Sequence, residues 1–292
     1  MWKLGLSARR EHFSFLKKGG WDLPSPLYLE FITENALFYG GPIDEMLDFS
    51  QQLPFLRGPL FHGLGMSLAS NNSLDLNYLQ EIKKLIDLYK CPYYSEHLCL
   101  SQVMGIESHD LLPFVRNKQS LLRIVDKVKY IQEVINRPFL IENVSAYLES
   151  EENHYSEVDF FNEVVFQSDA YYLLDLNNIY VNSYNFSFDW KSYIKSIPLD
   201  RIKEIHLAGY AKTSSEKILL DTHGEKIRPK TWEVFDFFLD FHLSQNPKEN
   251  LKKIKDILIV VEWDNNVPPF QEMISEVKKT ASHLERKAIL YA

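Results

Sequence analysis

The chain has 292 residues, of which 45% are hydrophobic and 25% charged, and its 32 basic and 40 acidic side chains give a formal net charge of −8. This composition excludes a disordered chain, and the acidic balance argues against a nucleic-acid binder that works through a broad basic face. The sequence shows no run of 18 apolar residues and no signal peptide, which predicts a cytoplasmic protein that does not act at a membrane.

Short apolar runs alternate with longer segments of helical periodicity along the chain. The runs are four to six residues long and largely apolar, as parallel strands buried on both faces are. We predict eight strands, at residues 3–7, 27–32, 60–63, 92–97, 139–143, 171–175, 202–206 and 257–262.

Apolar residues repeat at intervals of three and four in five of the intervening segments, which predicts amphipathic helices there. Ser156, with Asp159 three residues later, indicates the start of one helix, and the pair Pro268-Pro269 indicates the start of the last. The connections after the first, second and sixth strands show no clear pattern.

Eight alternations of strand and helix predict an α/β fold, a parallel (β/α)₈ barrel. Such barrels form one domain of about 250 residues. No linker or shift in composition divides this chain, so we expect a single domain over residues 1–292. The alternative is an open doubly wound sheet, which the lack of a G-x-G-x-x-G motif after the first strand disfavours.

Seven consecutive predicted strands, from the second to the eighth, carry His, Glu or Asp at or near their C-terminal ends. In a barrel these ends meet at one mouth. Burying so many carboxylates and imidazoles separately is costly, and a shared cluster of cations removes that cost. The pattern gives eight potential metal ligands: His62, His97, Glu142, Asp175, His206, Asp221, His223 and Glu262.

The types of predicted ligand residue indicate which metals can bind and how many ions are expected. Imidazoles and carboxylates without thiolates favour iron, manganese or zinc, and one tetrahedral zinc ion would leave several of the eight unused, so we expect two or three metal ions. Glu30, Asn35 and Asp264 lie near the same strand ends and are predicted to support the ligands or to contact substrate. Five further histidines are predicted to be structural or surface residues: His12, His109, His154, His242 and His283.

The two cysteines, Cys91 and Cys99, flank the predicted fourth strand. If that segment is extended, they lie about 26 Å apart at ~3.3 Å per residue, too far to form a disulfide. We therefore expect reduced thiols, as in a reducing cytoplasm. Cys99 is expected to be a core residue, with a role as a metal ligand two residues after His97 as the alternative.

Taken in order, the strand-end motifs resemble those of the multinuclear non-haem iron-dependent oxidases, a family long catalogued as a domain of unknown function. The resemblance covers nearly the whole chain. The motifs are His62-Gly-Leu-Gly-x-Ser-Leu, Ser95-Glu-His-Leu, Glu142-Asn-x-Ser-x-Tyr, Leu174-Asp-x-Asn-Asn-x-Tyr-Val-Asn, Ile205-His-Leu-Ala-Gly, Asp221-Thr-His and Glu262-Trp-Asp.

The resemblance implies a xylose-isomerase-like TIM barrel that holds two or three iron ions, Fe²⁺ or Fe³⁺. It implies an oxidase that uses O₂ to modify cysteine residues of a ribosomally synthesised peptide, usually with a small partner protein that presents the leader of that peptide. From the ligand types alone, zinc and manganese are the alternative metals.

The resemblance also implies a role for individual residues. Glu142 would bridge two irons, and Asp175, His206 and Glu262 would complete the ligands of one of them; these four form the predicted catalytic set. Asn143, beside Glu142 in its motif, is predicted to support the ligands or contact the substrate.

The remaining ligands are implied in the same way. His62 and His97 would hold the other bridged iron. A third site would use Asp221 and His223, with Asn178 at a position where some members of the family have histidine.

Two other functions fit the same residues. A non-redox metalloenzyme on this barrel, either a sugar isomerase or a phosphodiesterase resembling endonuclease IV, also gathers His, Glu and Asp at strand ends around divalent metals. The other alternative is a non-enzymatic metal-binding scaffold, whose interface would be a hydrophobic strip left exposed by Phe235, Phe237, Phe238 and Phe241 on one predicted helix.

Overall fold

The computed structural model describes residues 1–22, 26–37, 42–103, 106–215 and 217–291. Eight parallel strands form its centre. Their bounds are β1 Lys3–Ser7, β2 Leu27–Ile32, β3 Leu56–Gly63, β4 Tyr94–His97, β5 Phe139–Glu142, β6 Tyr171–Asp175, β7 Ile202–Leu207 and β8 Leu258–Val261.

These strands pair in the order β1-β8-β7-β6-β5-β4-β3-β2, and β2 pairs with β1 to close the barrel. The predicted (β/α)₈ barrel is therefore confirmed. Its register places strand-end residues side by side: His97 lies opposite Glu142, and Asp175 lies opposite His206. The parallel register thus brings the polar ends of four adjacent strands to one rim.

Helices surround the barrel in the described part of the chain. Their bounds are α1 Phe13–Lys18, α2 Thr33–Ala36, α3 Pro42–Gln52, α4 Leu76–Leu88, α5 Lys118–Ile135, α6 Glu157–Ser168, α7 Leu176–Phe186, α8 Trp190–Ser196, α9 Pro229–Gln245, α10 Pro247–Asp256 and α11 Phe270–Leu290. Short hairpins follow two strands: Leu100–Val103 pairs with Ile106–Leu112 after β4, and Ala211–Lys212 pairs with Leu219–Leu220 after β7.

The helices predicted from periodicity are present as α4, α5, α6, α9 and α11. The Ser156 side chain accepts a hydrogen bond from the backbone N–H of Asp159 and so caps α6, as the sequence predicts. The third strand begins earlier than predicted, at Leu56. The pair Gly58-Pro59 suggests a turn, but Leu56 already pairs with Leu27.

The helices between β6 and β7 explain why no apolar periodicity is visible in that part of the sequence. Helix α7 begins immediately after β6, and Asp175, the last residue of that strand, accepts the N–H of Asn178 as the helix cap. The buried face of α7 includes Asn177, Asn178 and Asn182 beside its apolar residues. A polar buried face hides the apolar periodicity by which a helix is recognised in a sequence.

The aromatic residues of α9 do not form an exposed strip. Phe235 and Phe238 are buried, while Phe237 and Phe241 are partly buried. The Phe237 ring packs edge-to-face against Trp190 of α8, with centroids 5.3 Å apart. The feature that would favour a scaffold protein is therefore absent from this helix.

No helix in the described ranges is long and apolar enough to cross a membrane. Cys91 and Cys99 are both free and buried. Burial raises the pKa of the Cys99 thiol well above its ordinary value, so Cys99 is a neutral core residue as expected.

Candidate metal centre

The first group at the barrel mouth joins β3, β4 and β5. His62 Nε2 lies 2.8 Å and His97 Nε2 lies 3.0 Å from the same Glu142 oxygen, Oε2. The two Nε2 atoms are 3.2 Å apart, and all three side chains are buried. The three ligand atoms are therefore close enough to one another to bind a single metal ion.

The partners of the other ring nitrogens fix the tautomers. His97 Nδ1 donates to the carbonyl of Gly63 at 2.8 Å. His62 Nδ1 lies 2.9 Å from the hydroxyl of Ser95, which itself donates to the carbonyl of Phe61 and therefore accepts from the ring. In the neutral rings, both Nε2 atoms then carry lone pairs that face each other. A proton on His97 or a metal ion between the rings removes the repulsion of these lone pairs.

The second group joins β5, β6, β7 and β8 and shares Glu142. His206 Nδ1 lies 3.0 Å from Glu262 Oε2 and 3.5 Å from Glu142 Oε1, neither with hydrogen-bond geometry. Glu142, Asp175, His206 and Glu262 each bring a ligand atom within 4.8 Å of the others. Because its two oxygens face different groups, Glu142 is placed to bridge two metal ions.

The third group lies at the edge of the second. His223 Nδ1 is 3.2 Å from Glu262 Oε2 and 3.5 Å from Asp264 Oδ2, while His223 Nε2 is 2.7 Å from Asp221 Oδ1. His223 has a φ of 42°, in the left-handed region that residues with a side chain rarely adopt. A histidine held in this conformation by carboxylates on both sides is typical of a functional position.

Two asparagines support these ligands. Asn143 donates to the carbonyl of Asp175 and accepts its N–H, both at 2.9 Å, and so ties the ends of β5 and β6 together. Asn178 donates to the carbonyl of Asn143, and its buried Oδ1 has no hydrogen-bond partner. The role of Asn178 as a metal ligand, which the family resemblance implies, stays a prediction.

The electrostatics of the site favour positive charge. Burial lowers the pKa of His97, but the carboxylate of Glu142 outweighs it and raises that pKa to about 10. Burial also lowers the pKa of His206, but the neighbouring carboxylates outweigh burial and raise that pKa well above its ordinary value. Glu30 makes the largest contribution among these carboxylates. Burial raises the pKa of Asp175 well above the ordinary value. Metal ions would supply the same positive charge and release these protons.

Several buried atoms at the mouth have no hydrogen-bond partner, although buried polar atoms in folded proteins are nearly all paired. All of these atoms are metal-ligand types, and they belong to residues that converge. This chemistry fits imidazole and carboxylate coordination of transition-metal ions. The unpartnered atoms include Glu142 Oε2, Asp175 Oδ2, Asn178 Oδ1, His223 Nε2, both nitrogens of His206, Glu30 Oε2 and both oxygens of Glu204.

Not every predicted residue joins these groups. Asp221 Oδ1 accepts from Asn177 and Oδ2 accepts from Ser145, and Oδ1 also lies 2.7 Å from His223 Nε2. Asp221 therefore lies at the mouth beside His223, and its role as a metal ligand stays a prediction. Asn35 is exposed, and the side chain of His109 lies outside the described residues.

Glu30 and Glu204 lie on the inner side of His206. Glu30 Oε1 is 3.1 Å from His206 Nε2, which places its carboxyl group beside the ring of this predicted ligand. Glu204 is fully buried beside them and was not predicted, although the spacing of two residues from His206 places both side chains on one face of β7. Burial, with Glu204 as a second cause, raises the pKa of Glu30 to about 7.

Arg9, just beyond the end of β1, was also not predicted. Its guanidinium forms an ion pair with Asp264 and donates to the carbonyl of Trp263 at 3.2 Å. Because Asp264 follows β8, this contact depends on closure of the barrel, and no local sequence pattern indicates it. Arg9 fixes the position of Asp264 beside His223.

Comparison with known proteins adds the family context. Residues 3–285 match the model of a family described as RiPP precursor modification enzyme MbnB/TglH/ChrH, RiPP denoting ribosomally synthesised and post-translationally modified peptides. A UPF0276 protein of Acaryochloris marina is 31% identical over 280 residues, covering 96% of this chain and 94% of that protein. A UPF0276 protein of Psychromonas ingrahamii is 31% identical over 278 residues, covering 94% and 92%.

Solved structures confirm the fold. A D-tagatose 3-epimerase-like protein superposes with a TM-score of 0.59 at 14% identity, covering 99% of this chain and 100% of the other. D-psicose 3-epimerase from Clostridium cellulolyticum H10 superposes with a TM-score of 0.52 at 15% identity, covering 99% and 96%. These similarities show a xylose-isomerase-like TIM barrel and carry no information on the reaction of this chain.

Proposed function

The chain belongs to the RiPP precursor modification enzymes of the MbnB/TglH/ChrH family, and from this premise we propose that it is an iron-dependent oxidase that uses O₂ to modify cysteine residues of a ribosomally synthesised peptide. The observation that carries the proposal is the shared carboxylate of Glu142. One of its oxygens faces His62 and His97, and the other faces the group that contains His206. This arrangement suits two metal ions side by side.

The residues around Glu142 would hold the two irons as follows. His62 and His97 supply Nε2 lone pairs on one side, and Asp175, His206 and Glu262 supply ligands on the other. When bound, iron supplies Lewis acidity for a substrate thiolate and the electrons that reduce O₂. Mixed imidazole and carboxylate ligands without cysteine are typical of non-haem iron and leave positions open for substrate.

The protein's own side chains orient these ligands. Glu30 Oε1 lies 3.1 Å from His206 Nε2, so a carboxylate stands beside that nitrogen while Nδ1 of the same ring faces Glu262 and Glu142. Asn143 holds the backbone of Asp175 through two hydrogen bonds. A ligand set fixed in this way binds metal without rearrangement of the barrel.

A third metal position is part of the proposal. His223, Glu262 and Asp264 bring ligand atoms within 4.8 Å of one another, and Asp221 orients His223. Arg9 neutralises Asp264. Because part of the charge at this group is already balanced, we expect a third ion to bind there more weakly than the two that share Glu142.

The substrate and partner follow from the family. We propose a cysteine-bearing peptide as substrate and a small protein that presents its leader as partner. Imidazole and carboxylate ligands alone also fit zinc or manganese, so the metal has to be measured. We expect the enzyme to act in the cytoplasm, where ferrous iron and a reduced cysteine substrate are available.

The proposal is tested by anaerobic reconstitution with ferrous iron, followed by elemental analysis and O₂ uptake with cysteine-bearing precursor peptides as substrates. We expect bound iron and O₂ consumption that requires the peptide cysteine, with a serine-substituted peptide as control. Zinc or magnesium in protein purified from its native host, together with no O₂ uptake by the iron-loaded enzyme, would favour the non-redox metalloenzyme instead.

A further inference from the structure

A second cavity lies outside the metal centre, between the start of α6 and the α7–α8 region. Its volume is about 460 Å³, within the range of sites that take a small ligand or a large side chain. We call it the α6–α8 cavity and define it by Arg116, Leu148, Glu149, Glu157, Phe188 and Ser196. None of these six residues belongs to the metal-ligand groups.

The chemistry of the lining is amphipathic and acidic. Leu148, Val158, Phe186 and Phe188 supply apolar surface. The charged lining residues are one basic and four acidic side chains, and the basic one, Arg116, is already paired with Glu149. An anion would be repelled from this cavity, whereas an apolar group with a neighbouring positive charge is complementary to it.

A short loop connects the cavity to the metal centre. Tyr147, whose hydroxyl oxygen accepts the backbone N–H of Asp221, is 45% exposed. The next residue, Leu148, is 75% exposed and lines the cavity. Two consecutive exposed hydrophobic residues therefore lead from the mouth of the barrel to the cavity, a surface suited to an extended chain.

Partly buried hydrogen bonds fix this loop in place. Asn182 of α7 accepts the N–H of Ala146 at 2.8 Å and donates to the carbonyl of Val144 and to Glu157 Oε2, both at 2.9 Å. Ser145, between those two residues, donates to Asp221 at 2.9 Å. The wall of the cavity and the support of the metal centre thus belong to one rigid unit.

We propose that the α6–α8 cavity docks an apolar side chain of the peptide substrate, flanked in that peptide by basic residues, at a position some residues away from the cysteine that reacts. This inference rests on the proposed function, since it takes the substrate to be a peptide. Docking at a separate cavity adds affinity and fixes the register of the peptide without any contact to the reacting atoms.

The test measures fluorescence anisotropy with a short fluorescein-labelled peptide of alternating leucine and lysine, and with the same peptide carrying glutamate in place of lysine. We expect the basic peptide to bind more tightly, and to bind equally well to iron-loaded and chelator-treated protein. Equal binding of the two peptides, or no binding of the basic one, overturns the proposal.

Two variants locate the site. Ser196→Trp fills the cavity from its exposed edge, and its control is Ser282→Trp, since both are exposed helical serines whose hydroxyls donate to their own helix backbone. Leu148→Ser removes apolar lining, with the exposed Leu122→Ser as control. We expect each cavity variant to weaken binding about tenfold and each control to leave it unchanged.

The oxidase proposal and the cavity proposal can be contradicted independently of each other. If the basic peptide binds and Ser196→Trp weakens it, while iron-loaded enzyme consumes no O₂ with the cognate peptide, the cavity is a docking site and the oxidase proposal is wrong. If O₂ is consumed but Ser196→Trp and Leu148→Ser bind the basic peptide as the unmodified protein does, the cavity proposal is wrong.

Discussion

His62 Nε2 and His97 Nε2 face each other at 3.2 Å, and the other nitrogen of each ring is held by an acceptor on the strands. Two neutral imidazoles in these tautomers present lone pair to lone pair, a repulsion that a proton on His97 or a metal ion between the rings removes. This pair is the simplest sign that the barrel mouth is suited to a metal ion.

Replacing His97 should remove one metal position. We expect His97→Gln, after anaerobic loading with ferrous iron, to bind about one iron fewer per chain, because a single protein nitrogen remains at that position. Elemental analysis of desalted protein measures the ratio. His242→Gln is the matched control, since His242 is buried but lies in none of the metal-ligand groups found among the described residues. Equal iron loss in both variants would contradict the assignment.

Replacing Glu142 should separate the two irons electronically. An amide cannot bridge two ions as a carboxylate does, so we expect Glu142→Gln to lose magnetic coupling between them and part of its iron. Mössbauer and electron paramagnetic resonance spectra report the coupling without reference to activity. Glu276→Gln is the control, because Glu276 is buried on α11 away from the barrel mouth. Unchanged spectra in Glu142→Gln would rule out the bridge.

Asn143 should act through Asp175. Its two hydrogen bonds fix the backbone that carries this ligand, so we expect Asn143→Ala to lower iron affinity by about 10- to 100-fold without removing any ligand. Competition with a fluorescent chelator measures the affinity. Asn162→Ala serves as control, since Asn162 also makes side-chain hydrogen bonds but outside the mouth. The idea fails if both variants bind iron as the unmodified protein does.

Glu157 should make stability depend on pH. Burial raises its pKa from 4.5 to about 7, so the folded state binds more protons than the unfolded state between those values. Stability therefore falls as the pH rises through this window, by about 1–2 kcal/mol after allowance for partial exposure. We expect urea unfolding at pH 5 and pH 8 to show the full loss in the unmodified protein and in Glu163→Gln, and a loss smaller by this amount in Glu157→Gln, where Glu30 still contributes. The same slope in all three proteins would contradict it.

The positions of the ligands could be predicted from the sequence because parallel strands place their ends at one rim. Once eight strands were recognised, His97, Glu142, Asp175 and His206 had to be neighbours, and the register confirms this. The exact strand boundaries have little effect on this prediction, because an error in the predicted start of a strand does not move the residue at its C-terminal end.

Other parts of the site depend on contacts that no local pattern shows. Arg9 contacts Asp264 although the two residues are 255 positions apart in the chain, because closure of the barrel brings them together. Asp221 has the right residue type and spacing for a ligand, but its hydrogen bonds to Asn177 of α7 and to Ser145 cannot be predicted from any local pattern. Glu204 shows the opposite case, because its alternation with His206 in the sequence already predicts that the two side chains share one face of β7.

The junction of β6 and α7 leaves no residue between strand and helix, and Asp175 belongs to both. A single residue inserted after Asp175 would rotate α7 by about 100° relative to the barrel, since a helix has 3.6 residues per turn. Asn178 and Asn182 would then swing away from the mouth and from the loop that they hold. Length changes among natural variants of this chain should consequently be absent at this point, whatever happens in the hairpins that follow β4 and β7.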